Sequence, residues 1–336
     1  MTCFFRLTKD ISFFTRIKDT KMKSHKLLQE LFFQYVEYCT YTRRLRPATI
    51  NGYVEAFKHF SNLMPDIKTP SDITVECMNH FFKKLETRKR VVGRGEVRIG
   101  VKASTIMTYW SKLNSFFVWL EGNGYLEVNP LPKVRPAEPE YRDIKALSKS
   151  ELEKIIGAID LHSSNTLIFK RDKAMVYLLF STGIRRGELR SLRVMDVDLN
   201  KGIIRICGDT SKSKKTRELP ISPILDMHLR EYISERNKRG YKSEYFIVSN
   251  NGDGALSNHG LKHWVNKIRS NSGVVFHLHQ FRHSFACAMA KVGASSYELQ
   301  KAMGHTDLRM TDRYLRSLGV EDVRDRMNKL SIENLA

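Results

Sequence analysis

The amino-acid sequence predicts a mainly α protein with a small antiparallel sheet, an α+β chain in two parts. Three observations carry that expectation. From residue 27 to about residue 120, apolar side chains recur at steps of three and four, the period of helices with one buried face. Four prolines then fall between Pro130 and Pro139 and interrupt the pattern. Beyond them the helical period returns, broken by the β-branched run Ile203-Ile204-Arg205-Ile206-Cys207 and by Arg217-Glu218-Leu219-Pro220.

Taken in order, residues 1–26 read as a basic, flexible lead-in. They lack the long apolar stretch and small-residue cleavage site of a secretory signal, and Met22 is an alternative start. Residues 27–128 form the first domain. Leu28, Leu31, Phe32, Tyr35 and Val36 mark its first helix. Pro47-Ala48-Thr49-Ile50 opens a second, with the proline tolerated in the first turn, and Tyr53, Phe57 and Phe60 follow. A third helix spans Thr74 to Leu85, and Arg88 to Gly95 reads as a basic loop. The fourth starts near Ser104, carries Tyr109, Leu113, Phe116, Phe117 and Leu120, and stops at Gly122-Asn123-Gly124. Residues 129–146 are expected to be an extended linker, because prolines cannot continue a helix.

The second domain, 147–319, opens on a capping box, Ser148 with Glu151, ahead of Leu152, Ile155 and Ile156. Ala174 to Phe180 is an apolar helical run that ends at Thr182-Gly183. The strand at 203–207 is followed by a polar turn, Lys212 to Lys215, and by an edge strand at 217–220, since proline suits only an edge. Helical spacing resumes to the end. In residues 320–336, Val320, Val323, Met327 and Leu330 share one helical face that either covers its own core or docks on a neighbouring protomer.

Charge narrows the partner. The chain has 57 basic and 36 acidic residues among 336, a formal charge of +21, with 41% apolar content. A folded chain this basic points to a polyanion, and nucleic acid is the expected one. The five cysteines are scattered and form no C-x-x-C pair, which argues against a disulfide framework or zinc site and fits a reducing cytoplasm. His259 and His263 have a zinc-finger spacing with no cysteine pair to complete it. No apolar run reaches the ~20 residues of a membrane span, so no membrane partner is expected. The chain lacks a G-x-x-x-x-G-K-[ST] phosphate loop, so no ATP or other cofactor is expected.

The chemistry-bearing residues suit phosphodiester cleavage. That reaction needs a nucleophile, neutralisation of charge on the non-bridging oxygens, a proton for the leaving oxygen, and in-line geometry. No cluster of acidic residues suited to a catalytic metal stands out, and no metal is expected. Arginine can bond two phosphate oxygens and keeps its proton. Arg185 follows the Thr182-Gly183 helix stop, with Glu188 three residues on to orient a guanidinium. Arg282 shares a helical face with His279. His305 follows Met303-Gly304, and Tyr314 comes nine residues later.

These segments resemble the tyrosine recombinase (phage integrase) family. Thr182-Gly183-Ile184-Arg185 with Glu188-Leu189 is similar to its first arginine box. His279-Gln280-Phe281-Arg282-His283 is similar to its H-x-L-R-H box, with Phe281 in place of leucine. Met303-Gly304-His305 through Tyr314 is similar to its L-G-H box and nucleophile, with Met303 in place of leucine. The resemblance covers about 290 residues and implies a helical, SAM-like core-binding domain followed by a mixed catalytic domain.

It also implies roles. Tyr314 is the nucleophile and forms a 3′-phosphotyrosyl bond with DNA, Arg185 and Arg282 clamp the scissile phosphate, and His305 steadies the transition state. His279 bonds the phosphate or moves the tyrosine proton, and Glu188 and His283 support the others. Counting back from Pro220 places the family's general-acid lysine at Lys212, with Lys214 and Lys215 as competitors because the flanking glycines are missing. Expected DNA contacts are Arg43, Arg44, Arg46, Thr49 and Tyr53 around the second helix, and Lys102, Ser104, Thr105 and Tyr109 at the start of the fourth.

The expected function is thus site-specific recombination on double-stranded DNA carrying a specific site. A tetramer in the synaptic complex, an accessory DNA-bending or directionality protein, and a prokaryotic, nucleoid-associated setting go with it. The short lead-in leans toward an Xer-like or small mobile-element enzyme. Integration, excision and dimer resolution share one active site and stay open. The alternatives are a type IB topoisomerase-like nicking-closing enzyme and a DNA-binding regulator with an inactive site.

Overall fold

The computed structural model describes residues 27–93, 95–139, 145–209, 215–249, 252–305, 307 and 311. The chain divides into two compact units, Met1–Tyr141 and Arg142–Ala336.

Among the described residues, four α-helices build the first unit: α1 (Leu28–Glu37), α2 (Pro47–Leu63), α3 (Val75–Thr87) and α4 (Ala103–Gly122). Each presents aromatic side chains at helical spacing, and these interlock. Phe32 stacks on Phe57 with ring centroids 3.9 Å apart, and Phe116 meets Phe57 edge-on at 5.6 Å. Tyr35, Phe60, Phe81 and Phe117 complete a core closed to solvent. Tyr35 is tolerated there because its hydroxyl pairs with Ser115 Oγ at 2.8 Å. Thr74 caps α3 by accepting from the Cys77 amide.

Two segments differ from their sequence reading. The basic loop at 88–95 belongs to an antiparallel hairpin, β1 (Lys89–Val92) with β2 (Glu96–Ile99), in the register Lys89↔Ile99 to Val92↔Glu96. Gly93 (φ 58°) and Gly95 (φ 95°) supply the left-handed backbone that closes it. The expected linker does not begin extended. A 3-10 turn, Leu131–Val134, folds back on the first unit and buries Leu131. Trp110 Nε1 donates to the Leu131 carbonyl at 3.0 Å, and the Arg135 guanidinium lies over the Trp110 ring.

In the second unit, α5 (Lys149–His162) starts at the Ser148–Glu151 capping box. The next helix, α6 (Thr166–Thr182), is the hub: Ala174, Met175, Leu178 and Leu179 are sealed from solvent. It packs against α8 (Pro223–Lys238) and α10 (Leu278–Lys291). Short α7 (Arg186–Ser191) follows α6 directly, α9 (Asn258–Ser272) packs on α5, and α11 (Ser296–Met303) closes the described order. The sheet is β3 (Val197–Asp198), β4 (Ile203–Ile206) and β5 (Arg217–Pro220), antiparallel in that order. β5 is an edge, and Pro220 sits at its end opposite Ile203. Among the described residues, no helix is long and apolar enough to cross a membrane.

Candidate active site

The site begins at two helix ends. Gly183 stops α6 in the left-handed conformation (φ 58°), and a Cβ there would lie 2.4 Å from Phe285 Cδ1. Only glycine fits both constraints. The chain then turns so that Arg185 becomes the N-cap of α7. Gly304 stops α11 the same way (φ 61°), with the Arg217 guanidinium 3.0 Å from where a Cβ would stand. These two turns lie far apart in sequence and meet through arginine side chains.

Glu188, 2% exposed, is the anchor. One carboxylate oxygen accepts from Arg185 Nη1 at 3.0 Å and Arg217 Nη1 at 3.1 Å. The other accepts from the Arg185 amide and Arg217 Nη2, both at 2.8 Å. Burial by itself pushes the Glu188 carboxyl up, but Arg217 and then Arg185 outweigh burial and hold it at about 2. The two guanidiniums also reach the α11 terminus: Arg217 Nε donates to the Ala302 carbonyl at 2.9 Å, and Arg185 Nη2 to the Gly304 carbonyl at 3.2 Å. The carboxylate therefore positions Arg185 against the turn that carries His305.

Arg282 is buried on α10. Its Nη1 donates to the Gly183 carbonyl at 2.6 Å, and its Nη2 to the Met303 carbonyl at 2.6 Å and to His305 Nε2 at 3.0 Å. Arginine can only donate, so Nε2 of His305 must accept and the ring proton sits on Nδ1. Nδ1 is 2.9 Å from Thr311 Oγ1, which then accepts that proton. The neutral ring agrees with its environment. Burial, followed by the charges of Arg282, Arg185, Arg217 and His279, pushes His305 down to about 4.

Arg185, Arg282, His305 and Glu188 are thus brought together. His279 is exposed on α10, near enough for its charge to act on His305. His283 is buried on the same helix, with Cys287 Sγ 3.6 Å from its Nε2. Lys212, Lys214 and Tyr314, like the 320–336 helix and the 1–26 lead-in, lie outside the described residues; Lys215 is described and exposed. Among the described residues, no three His, Cys, Asp or Glu side chains gather where they could hold a metal ion.

Two built-in side chains escaped the sequence reading. Arg217 served there only as a strand residue, although it alternates with inward Leu219, and an arginine at an inward strand position needs a buried partner. Thr311 gave no signal, being a lone threonine.

The first-unit candidates divide. Arg43, Arg44, Thr49, Lys102 and Ser104 are exposed, and Arg46 is half-buried at the N-cap of α2. Tyr53 instead turns inward: its ring is 5.5 Å from Tyr35, and its hydroxyl accepts from Ser115 Oγ at 3.4 Å. Thr105 and Tyr109 are half-buried and line a groove of about 520 Å³ with Arg88, Lys89, Arg90 and Lys102.

The sequence model of the phage integrase family matches residues 145–319. The chain is 30% identical over 296 residues to tyrosine recombinase XerC of Oceanobacillus iheyensis, covering 83% of this chain and 89% of that one. It is 26% identical over 298 residues to tyrosine recombinase XerD of Listeria monocytogenes, covering 85% and 94%. Among solved structures it is similar to the Tn1549 transposon integrase in complex with transposon right end DNA (TM-score 0.70, 16% identity, 90% and 98% covered). It is also similar to a lambda integrase dimer bound to a COC′ core site (TM-score 0.66, 20% identity, 88% and 97% covered). At these identities the structures show a shared fold, helical with small antiparallel sheets.

Proposed function

This chain belongs to the phage integrase family of tyrosine recombinases, and we propose from that premise that Arg185 and Arg282 hold the scissile phosphate of a recombination site for attack by Tyr314, with His305 fixing Arg282 beside it. The protein is an enzyme of site-specific DNA recombination, one that cleaves and rejoins DNA. The nicking-closing and inactive-regulator alternatives are not favoured.

The observation that carries the reading is the convergence of Arg185 and Arg282, from separate helices, on the Met303-Gly304-His305 turn. Two arginines and a neutral imidazole at one helix end form a cationic pocket for a dianionic transition state. In the proposed step the Tyr314 hydroxyl oxygen attacks phosphorus and its proton passes to His279. The bond from phosphorus to the 5′ oxygen breaks, and Lys212 protonates that oxygen. The 3′-phosphotyrosyl diester keeps the bond energy, so rejoining by the free 5′ hydroxyl needs neither metal nor ATP. Glu188 supports Arg185, and His283 supports its own helix.

Double-stranded DNA with a specific site is the substrate in this reading, gripped through Arg43, Arg44, Arg46, Thr49, Lys102, Ser104, Thr105 and Tyr109, with Tyr53 bracing the helix beneath. A tetramer would assemble on two sites through residues 320–336, with an accessory bending or directionality protein, in a prokaryotic cytoplasm. The similarity to tyrosine recombinases XerC and XerD supports an Xer-like enzyme. The DNA flanking the gene supplies candidate sites for the test. A nicked suicide duplex carrying such a site should trap a covalent protein–DNA adduct, and Tyr314→Phe should abolish it. An adduct that survives Tyr314→Phe refutes the assignment.

A further inference from the structure

We propose that the groove between the β1–β2 hairpin and the start of α4 is a dedicated seat for a backbone phosphate of duplex DNA, held by Arg88, Lys89, Arg90 and Lys102. The proposal deepens the recombinase reading and rests on it for the identity of the polyanion.

Four cations line a space of about 520 Å³ together with His59 and Tyr109, and among the described residues its lining includes no carboxylate. In the second unit, by contrast, Arg185 and Arg217 share Glu188, and Lys173 pairs with Asp160 at 2.7 Å. Gathering like charges costs free energy that an anion recovers. Glu55 acts on the groove's edge, through His59 and Tyr109, but does not line it.

The donors are also aimed. Arg88, half-buried at the C-cap of α3, has its Nε enclosed without a hydrogen-bond partner. Arg88 reaches the groove through the rest of its side chain. Arg90 is anchored through Nε, which donates to the Gly100 carbonyl at 2.7 Å, so its fork is held rather than free to swing. Lys102 is the N-cap of the 20-residue α4, whose first turn has no side-chain cap. The helix end therefore adds its own partial positive charge to the four side chains. Val91, Val92 and Val101 form an apolar side that suits contact with a sugar. Burial and then the Arg88 charge lower the His59 pKa.

The test uses the full chain and a fluorescein-labelled duplex, with affinity measured across a salt series. R88Q/R90Q should weaken binding about tenfold and flatten the dependence of log K on log salt by about one. The charge-matched control K149Q/K201Q, from exposed lysines of the second unit, should change neither by a comparable amount. Should R88Q/R90Q unfold, K89Q/K102Q carries the same expectation, because both side chains are exposed. A local readout accompanies these: the His59 imidazole pKa should rise when duplex binds. Equal losses in control and groove variants, or an unmoved His59, overturn the seat. The suicide-substrate assay separates the two readings: wild-type adduct with unchanged groove variants sinks the seat alone. Groove variants that weaken binding of a wild type unable to form an adduct would sink the cleavage reading alone.

Discussion

Replacing Glu188 by glutamine removes one charge from a place where two guanidiniums share it, and its cost follows from the geometry. The carboxyl falls from 4.5 to about 2 on folding, against the pull of burial. A fall of that size corresponds to about 3 kcal/mol of stability at neutral pH. Because the folded value is depressed, this stability is complete above the unfolded pKa and is lost as pH falls toward 2. By pH 3, about 2 kcal/mol of it should be gone. Glu188→Gln should therefore cost about 3–5 kcal/mol at pH 7, since it strands buried Arg217 without its counter-ion. The gap to wild type should shrink by about 2 kcal/mol at pH 3. His305 also weakens the fold below its unfolded pKa of 6.5, because its folded pKa is lowered, but it is present in both chains and cancels in the difference. Urea unfolding followed by Trp264, the one tryptophan of residues 142–336, reads the second unit in a W110F/W119F background. A gap below about 1 kcal/mol at pH 7 would refute the reasoning, as would a gap that does not change between pH 7 and pH 3.

Three further outcomes follow from the same geometry. Arg217→Ala and Glu188→Gln should be strongly non-additive, with a coupling above about 1 kcal/mol in a double-mutant cycle by urea unfolding; additive losses would show that the bidentate pair carries no energy. Gly183→Ala should destabilise by about 2–4 kcal/mol, since it combines a left-handed φ with a 2.4 Å approach to Phe285. Helical Gly187, with nothing near its absent Cβ, should instead gain about 0.5–1 kcal/mol as alanine, and thermal melts of the two variants decide the comparison. By NMR, the His305 ring should be neutral and Nδ1-protonated at pH 6, titrating near 4; titration at the ordinary value of 6.5 would contradict the bond from Arg282.

Much of the fold was legible because its elements state their burial locally. The helices of the first unit show their aromatic stripe at helical spacing, and Ser148 with Glu151 announces a helix start. The β1–β2 hairpin was not legible, because β1 alternates only between exposed and half-buried positions, β2 is exposed throughout, and neither leaves an apolar signature. The 3-10 turn after Pro130 was hidden for another reason: its anchor, Leu131, is one apolar residue among prolines, and its partner Trp110 lies 21 residues away. Tyr53 has the composition of a DNA contact, and only the tertiary structure shows it half-buried, packed beside Tyr35 and Ser115.

The sequence by itself determined the helical class, the basic character, the motif residues and the pairing of Arg185 with Glu188, all of which are local in the chain. The tertiary structure alone decided that Arg217 would complete that ion pair. It alone brought Arg185 to the Gly304 carbonyl, 119 residues away, and Arg282 to that of Gly183, 99 residues away. Those contacts depend on how α10, α11 and β5 pack around α6 and α7. Such packing comes from burying many apolar surfaces at once, which no periodicity within one segment encodes.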